Sequence, residues 1–187
     1  MEEIDLREKK QCLRKEIFAM KKSLSLQERM AFSQQIFSCL EKLPDFINAR
    51  CVALYYSLPD EVQTETFIRK WYATKKILLP VVEPDNNLKL VAYKGIDMLH
   101  VGAFGISEPI NNEGDEDSKP DIIIVPGIAF DRNLNRMGRG KGFYDRLLVD
   151  MSVPKYGICY GFQLFDSVPA GETDVRMNHI ITEKEFI

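Results

Sequence analysis

The chain has 187 residues, 45% of them hydrophobic and 28% charged, a length and balance that suit one folded domain with a sizeable core. That composition excludes a disordered, collagen-like or disulfide-scaffold chain. Twenty-five Lys and Arg against 28 Asp and Glu leave a net charge of −3, which argues against a general nucleic-acid binder or a membrane-surface protein, so a polyanion site must concentrate its cations locally.

Residues 5–22 are expected to form a helix, with Leu6, Leu13, Ile17 and Met20 on one stripe and Lys10, Arg14 and Lys21 on its shoulder. On periodicity alone these cations form a solvated edge. The opening stretch is charged throughout, unlike a signal peptide, and no apolar run approaches the roughly 20 residues that cross a bilayer. The expectation is a soluble, cytoplasmic protein with no membrane partner. Cys12, Cys39, Cys51 and Cys159 stand far apart with no C-x-x-C pair, as in a reducing compartment.

Ser25 and Glu28 make a capping box that opens a second helix, with Met30, Phe37 and Leu40 inward, fading before Pro44. Then the period changes. Residues 51–56 read as a strand buried on both faces, followed by the loop 57–61, a helix over 64–72 in which Trp71 packs on the sheet, and strands over 76–82 and 88–93. The chain is irregular from 94 to 120, with an acidic, turn-rich loop at 111–117. Residues 121–127 form the clearest strand, a β-branched run of the kind parallel sheets bury. A glycine-rich loop, a helix over 143–151 and strands over 155–160 and 178–182 complete the chain. The order predicts a single α/β domain over residues 1–187, a mostly parallel sheet flanked by helices and prefaced by two N-terminal helices. Ligands in such sheets sit at the carboxyl ends of strands, where the loops after Tyr56 and Val125 lie. Tyr55 and Tyr56 should point to opposite sheet faces, leaving one to line a site there.

The densest chemical signal is residues 135–146, NRMGRGKGFYDR. Gly138, Gly140 and Gly142 alternate with Arg139 and Lys141, just after Arg136. Glycines let backbone amides approach a ligand closely, and Arg and Lys add charge-assisted bonds to several phosphate oxygens. This is chemistry for a polyphosphate. The spacing is neither a Walker A loop nor G-x-G-x-x-G. Asp145 follows in the first turn of the next helix, where a carboxylate suits either the helix dipole or a Mg²⁺ shared with a nucleotide.

Lys10 to Arg14, Pro59-Asp60-Glu61, and Pro126-Gly127 followed by Asp131 and Arg136 to Asp145 resemble the 5-formyltetrahydrofolate cyclo-ligase family, also called methenyltetrahydrofolate synthetases. The resemblance spans Lys10 to about Asn178. It implies a ligase of one-carbon metabolism that converts 5-formyltetrahydrofolate to 5,10-methenyltetrahydrofolate with ATP and Mg²⁺, releasing ADP and phosphate. By the same resemblance Lys10, Arg14 and the run Arg136, Met137, Gly138, Arg139, Gly140, Lys141, Gly142, Phe143 and Tyr144 bind ATP. Tyr56, Glu61 and Arg139 to Phe143 border the folate, and Asp145 and Asp174 hold the metal. Phe143 stands where Tyr is common, which removes a hydroxyl but keeps the ring. Lys141 and Arg139 are the expected neutralisers of the phosphoryl group in transit, and Glu61 the acceptor for the pterin N–H groups. Asp145→Asn is expected to cost little stability. Partners are then small molecules, reduced folate and ATP, with no nucleic acid, and the chain is expected to act as a monomer.

Two other classes compete: a nucleotide-binding regulatory module that holds ATP without turnover, and an ATP-independent sugar-phosphate isomerase or acyl-transfer relative. Folate-dependent ADP release separates the first from an enzyme, and absence of ATP dependence would mark the second. His100 and His179 join no cluster and receive no role.

Overall fold

The structure is a computed structural model that describes residues 2–102, 105–110 and 119–187, with side chains from Asp5 onward. The acidic stretch 111–117 lies outside the described residues. Helix α1 (Glu2–Ser23) buries Ile17 completely, with Leu13 and Phe18 partly covered beside it. Its stripe lies further round than the spacing predicts. Met20 is exposed, and Lys21 turns inward with its alkyl stem buried and its ammonium 3.0 Å from Asp60 Oδ2. Helix α2 (Leu26–Leu40) needs the same correction: Met30 faces solvent while Ser33, Ile36, Phe37 and Leu40 are buried. Its capping box forms as expected, Glu28 N donating to Ser25 Oγ (3.2 Å) and Ser25 N to Glu28 Oε2 (2.9 Å).

Pro44 does more than end α2. It opens a short helix, α3 (Pro44–Asn48), where a residue without an N–H loses nothing. Strand β1 (Cys51–Ala53) is shorter than the expected 51–56, because the chain leaves the sheet after Leu54 N donates to Leu78 O. Helix α4 (Glu65–Trp71) leads into β2 (Lys76–Val82) and the antiparallel β3 (Leu88–Ala92). Trp71 packs edge-on against Phe46 of α3, centroids 5.0 Å apart, and its Nε1 donates to Glu41, rather than resting on the sheet. Within the segment read as irregular, β4 (Leu99–Val101) pairs antiparallel with β5 (Ser107–Pro109).

Strand β6 (Ile122–Pro126) precedes β7 (Ala129–Asp131) and β8 (Arg136–Met137), then α5 (Phe143–Val149), β9 (Lys155–Ile158), β10 (Leu164–Phe165) and β11 (His179–Ile181). Six strands make one sheet in the order β11-β9-β6-β1-β2-β3, parallel except for β3. Alternation sorts β6 between two cores. Ile122 and Ile124 join Ile36, Phe37, Phe46 and Phe67 under the helices α2 to α4, while Ile123 and Val125 join Leu148 of α5 on the other face. The small sheet β10-β7-β8 lies under α1, where Ile17, Ile128, Ala129, Met137 and Val168 form a third cluster. Among the described residues no helix is long and apolar enough to cross a membrane, and the four cysteines carry free thiols. His179 stacks between Tyr156 and Phe186, a packing role.

The fully buried Phe130 ring fits where two glycines leave room for it. A Cβ at Gly127 would stand 2.5 Å from its Cε2, and one at Gly157 would stand 2.5 Å from its Cε1. Close packing therefore demands glycine at both positions. Gly157→Ala should destabilise the protein by about 1–3 kcal/mol through overpacking, and Phe130→Ala by about 3–5 kcal/mol. In the Phe130→Ala background Gly157→Ala should cost at least about 1 kcal/mol less, measured by denaturant unfolding. Strict additivity would mean that the ring does not set the glycine.

Candidate functional site

An open cleft of about 1470 Å³ lies at the carboxyl ends of the central strands, where open α/β sheets hold ligands. The loop after β1 contributes Tyr55, Tyr56, Leu58 and Glu61, and β6 ends at it with Pro126 and Gly127. Helix α1 adds Lys10 and Arg14, and the loop between β8 and α5 adds Gly138 to Gly142. Arg136, Phe143, Tyr144, Asp145 and Asp174 also line it, so nearly every residue expected at the site meets in one cavity. Met137 is the exception. It is 1% exposed, and its side chain belongs to the cluster under α1. Tyr55 lines the cleft together with Tyr56, because both lie beyond the end of β1 and strand alternation no longer separates them.

Two glycines of the loop have left-handed backbones, Gly140 at φ 95° and Gly142 at φ 69°, which β-carbon-bearing residues adopt only with strain. Arg14 reaches the loop from α1, its Nε donating to Gly138 O at 2.9 Å. A Cβ on Gly140 would stand 3.2 Å from the same guanidinium. The shoulder cations of α1 therefore face the site, and the solvated-edge reading does not hold for Arg14.

Ion pairs knit the cleft. Arg136, 3% exposed, donates through Nη2 to Asp145 Oδ1 at 2.8 Å, and Val175 N donates to the same oxygen at 3.3 Å. Lys10 Nζ donates to Asp174 Oδ2 at 2.5 Å, an oxygen that also accepts from Gly171 N. Arg139 Nη2 donates to Asp60 Oδ1 at 2.7 Å and to Glu61 Oε1 at 3.1 Å. Lys21, from below, donates to Asp60 Oδ2. Burial opposes ionisation of Asp60, but Lys21 and Arg139 outweigh it and hold its carboxyl below the ordinary range. Burial likewise opposes the charge on Arg139, yet Glu61 and Asp60 raise its affinity for the proton. On Arg14 burial prevails over nearby Asp174 and lowers it. Tyr144 is pushed upward by burial and by Glu61, so its hydroxyl stays protonated.

Sequence reasoning did not assign Lys21 or Asp60, whose signals were a lysine on a helix shoulder and an acid beside Glu61. It also missed Glu108 on β5, which lines the cleft while almost fully buried. Its strands, three residues each, are too short to show a period. Among the described residues no three His, Cys, Asp or Glu side chains gather as a metal site. Asp145 and Asp174 do line one cleft, and two carboxylates suit Mg²⁺ where phosphate oxygens and water complete its shell.

The match to a family model named "5-formyltetrahydrofolate cyclo-ligase family" covers residues 6–183. A 5-formyltetrahydrofolate cyclo-ligase of Haemophilus influenzae is 29% identical over 182 residues, covering 93% of this chain and 97% of that protein. The NMR structure of a 5,10-methenyltetrahydrofolate synthetase from Aquifex aeolicus superposes with a TM-score of 0.84 at 36% identity, covering 95% of this chain and 91% of that one. A second 5,10-methenyltetrahydrofolate synthetase structure, from Mycoplasma pneumoniae, gives 0.72 at 26% identity, with 93% and 98% covered.

The Arg136–Asp145 pair alters one expectation for Asp145. Its carboxylate is the charged partner of a buried guanidinium, so Asp145→Asn removes more than a favourable helix-dipole contact. A hydrogen bond to a charged group contributes about 1.5–3 kcal/mol, and the variant should lose about that much in a denaturant melt. Arg136→Met should make the second change nearly neutral, because no buried charge then remains to be left alone. A loss below about 0.5 kcal/mol for Asp145→Asn would show that Arg136 does not depend on it.

Proposed function

The chain belongs to the 5-formyltetrahydrofolate cyclo-ligase family, and we propose that its cleft binds ATP beside 5-formyltetrahydrofolate and closes the folate to 5,10-methenyltetrahydrofolate, releasing ADP and phosphate. The observation that carries this reading is the meeting of Lys10, Arg14, Arg139 and Lys141 with the glycine loop in a single cleft that Tyr56 and Glu61 also line. A cleft of that size has room for two extended substrates in contact. The loop's backbone, Arg14 and Lys10 suit the nucleotide phosphates, and the aromatic and carboxylate residues after β1 suit a flat, nitrogen-rich ring.

The chemical obstacle is that a formamide carbon is a weak electrophile and its oxygen leaves poorly. In the proposed reaction the formyl oxygen attacks the γ-phosphorus, and ADP departs with the electrons of the broken P–O bond. The C–O–P carbon, now bonded to a cationic N5, accepts the lone pair of N10, which loses its proton. Phosphate then leaves with the C–O electrons, and the methenyl bridge spans N5 and N10. Nothing is oxidised or reduced. The protein's tasks are to align the formyl oxygen with the γ-phosphoryl group and to neutralise the charge that moves across it. Lys141 and Arg139, on a loop held by Arg14 and by the Arg136–Asp145 pair, would do the second. Arg139 enters this role by exchanging Asp60 and Glu61 for phosphate oxygens. Asp145 and Asp174 would hold Mg²⁺, which when bound supplies further neutralisation of the phosphate oxygens.

Lys141 is the residue on which this scheme leans most. Lys141→Met should leave the thermal melt close to that of the parent, since the side chain sits on an exposed loop. Steady-state formation of methenyltetrahydrofolate at saturating Mg-ATP should fall roughly 100- to 1,000-fold, the usual loss when one preorganised charge partner is removed. Lys141→Arg should recover only part of that rate, because a planar guanidinium does not reproduce a compact ammonium. A Lys141→Met enzyme within about threefold of the parent would assign the neutralising role to Arg139 or Arg136.

A further inference from the structure

One carboxylate in the cleft has no task in that scheme. Glu108, at the centre of β5, is 3% exposed and still lines the cavity. Among the described residues its side chain makes no ion pair and accepts no hydrogen bond, and its oxygens are not closed off from the cleft. Its position is built. Gly102, across the β4–β5 turn, would place a Cβ 2.3 Å from Glu108 Cδ and Oε2, so glycine there makes room for the carboxylate. A buried carboxylate without a donor is costly, and a site keeps one where a ligand brings the donors.

Glu61, the acid expected to receive the pterin, is already engaged at both oxygens. Oε1 accepts from Arg139, and Oε2 accepts from Leu58 N at 3.1 Å, which closes its own loop. Even when Arg139 turns to phosphate, Oε2 stays committed to its own loop, so Glu61 offers a ligand one oxygen where Glu108 offers two. Glu108 requires no such exchange. Strand β5 packs beside β2, and Pro80 and Val82 of β2, with Ile106 and Tyr56, give the same cleft a flat apolar lining. A reduced pterin presents its N3–H and 2-amino group side by side, two donors in the geometry that one carboxylate accepts. Resting on the proposed ligase reading, we propose that Glu108 is the specificity-determining residue for the pterin, accepting from N3–H and the 2-amino group while the ring lies against β2.

The test pairs a variant with a substrate analogue. Glu108→Gln preserves shape but offers one acceptor and one donor, so one pterin N–H is mismatched. Its KM for 5-formyltetrahydrofolate should rise roughly 10- to 100-fold, with the KM for ATP within about twofold of the parent. In the parent enzyme an analogue with methyl in place of the 2-amino group should lose a similar factor, whereas Glu108→Gln should distinguish the two folates by less than about threefold. An unchanged folate KM in the variant, equal losses for both substrates, or a parent enzyme indifferent to the analogue would each overturn the assignment. The analogue arm uses only the parent protein, so an indifferent parent overturns the assignment even if the variant folds poorly. Should the parent form no methenyltetrahydrofolate at all, the ligase reading fails. Should the parent turn over and Glu108→Gln match it, only the role of Glu108 fails.

Discussion

A buried ion pair shapes the glycine loop. Arg136 closes one end of the glycine run and Asp145 the other, and the bond between them spans nine residues of sequence in 2.8 Å of space. Because Arg136 is almost inaccessible to water, its charge must find a partner inside, and Asp145 is that partner. The Arg136 guanidinium also lies 5.6 Å from the Tyr144 ring centroid, and Gly138 leaves room for its Nη1. With both ends tied, the residues between them have few ways to run, and the chain passes through left-handed backbones at Gly140 and Gly142. Asp145 is thus a structural acid as well as a candidate magnesium ligand.

A second set of charges ties this loop to the opposite wall. Lys21, Asp60, Arg139 and Glu61 alternate in sign, linking α1, the loop after β1 and the glycine loop. Lys21 is the buried member, and burial lowers its proton affinity although Asp60 works the other way. The arrangement keeps Arg139 oriented. On the proposed function, substrate phosphate takes over a cation that is already in place, so little side-chain ordering remains to be done at binding.

What was legible in the sequence divides along physical lines. Strand β6 was plain because an unbroken β-branched run has few alternatives, and the capping box of α2 because it is a local contact between Ser25 and Glu28. The glycine-and-cation run was plain because its chemistry resides in consecutive residues. Met20 and Met30 went wrong where a helix's burial depends on what packs beside it: Lys21 took an inward place only because Asp60, distant in sequence, waits there. The same holds for Asp145, whose partner depends on how the loop closes, and for Met137, whose side chain turns into the core while its neighbours face the cleft. Glu108 was invisible because a three-residue strand carries no period and its burial depends on Gly102 across the hairpin.

The central chemical claim is that the formyl oxygen itself becomes phosphorylated in this cleft. It is tested most directly by supplying 5-formyltetrahydrofolate labelled with heavy oxygen in the formyl group, with unlabelled ATP and water, and weighing the phosphate released. Phosphate carrying one heavy oxygen per methenyltetrahydrofolate formed is the predicted result. Unlabelled phosphate, with the heavy oxygen recovered in water, would contradict it.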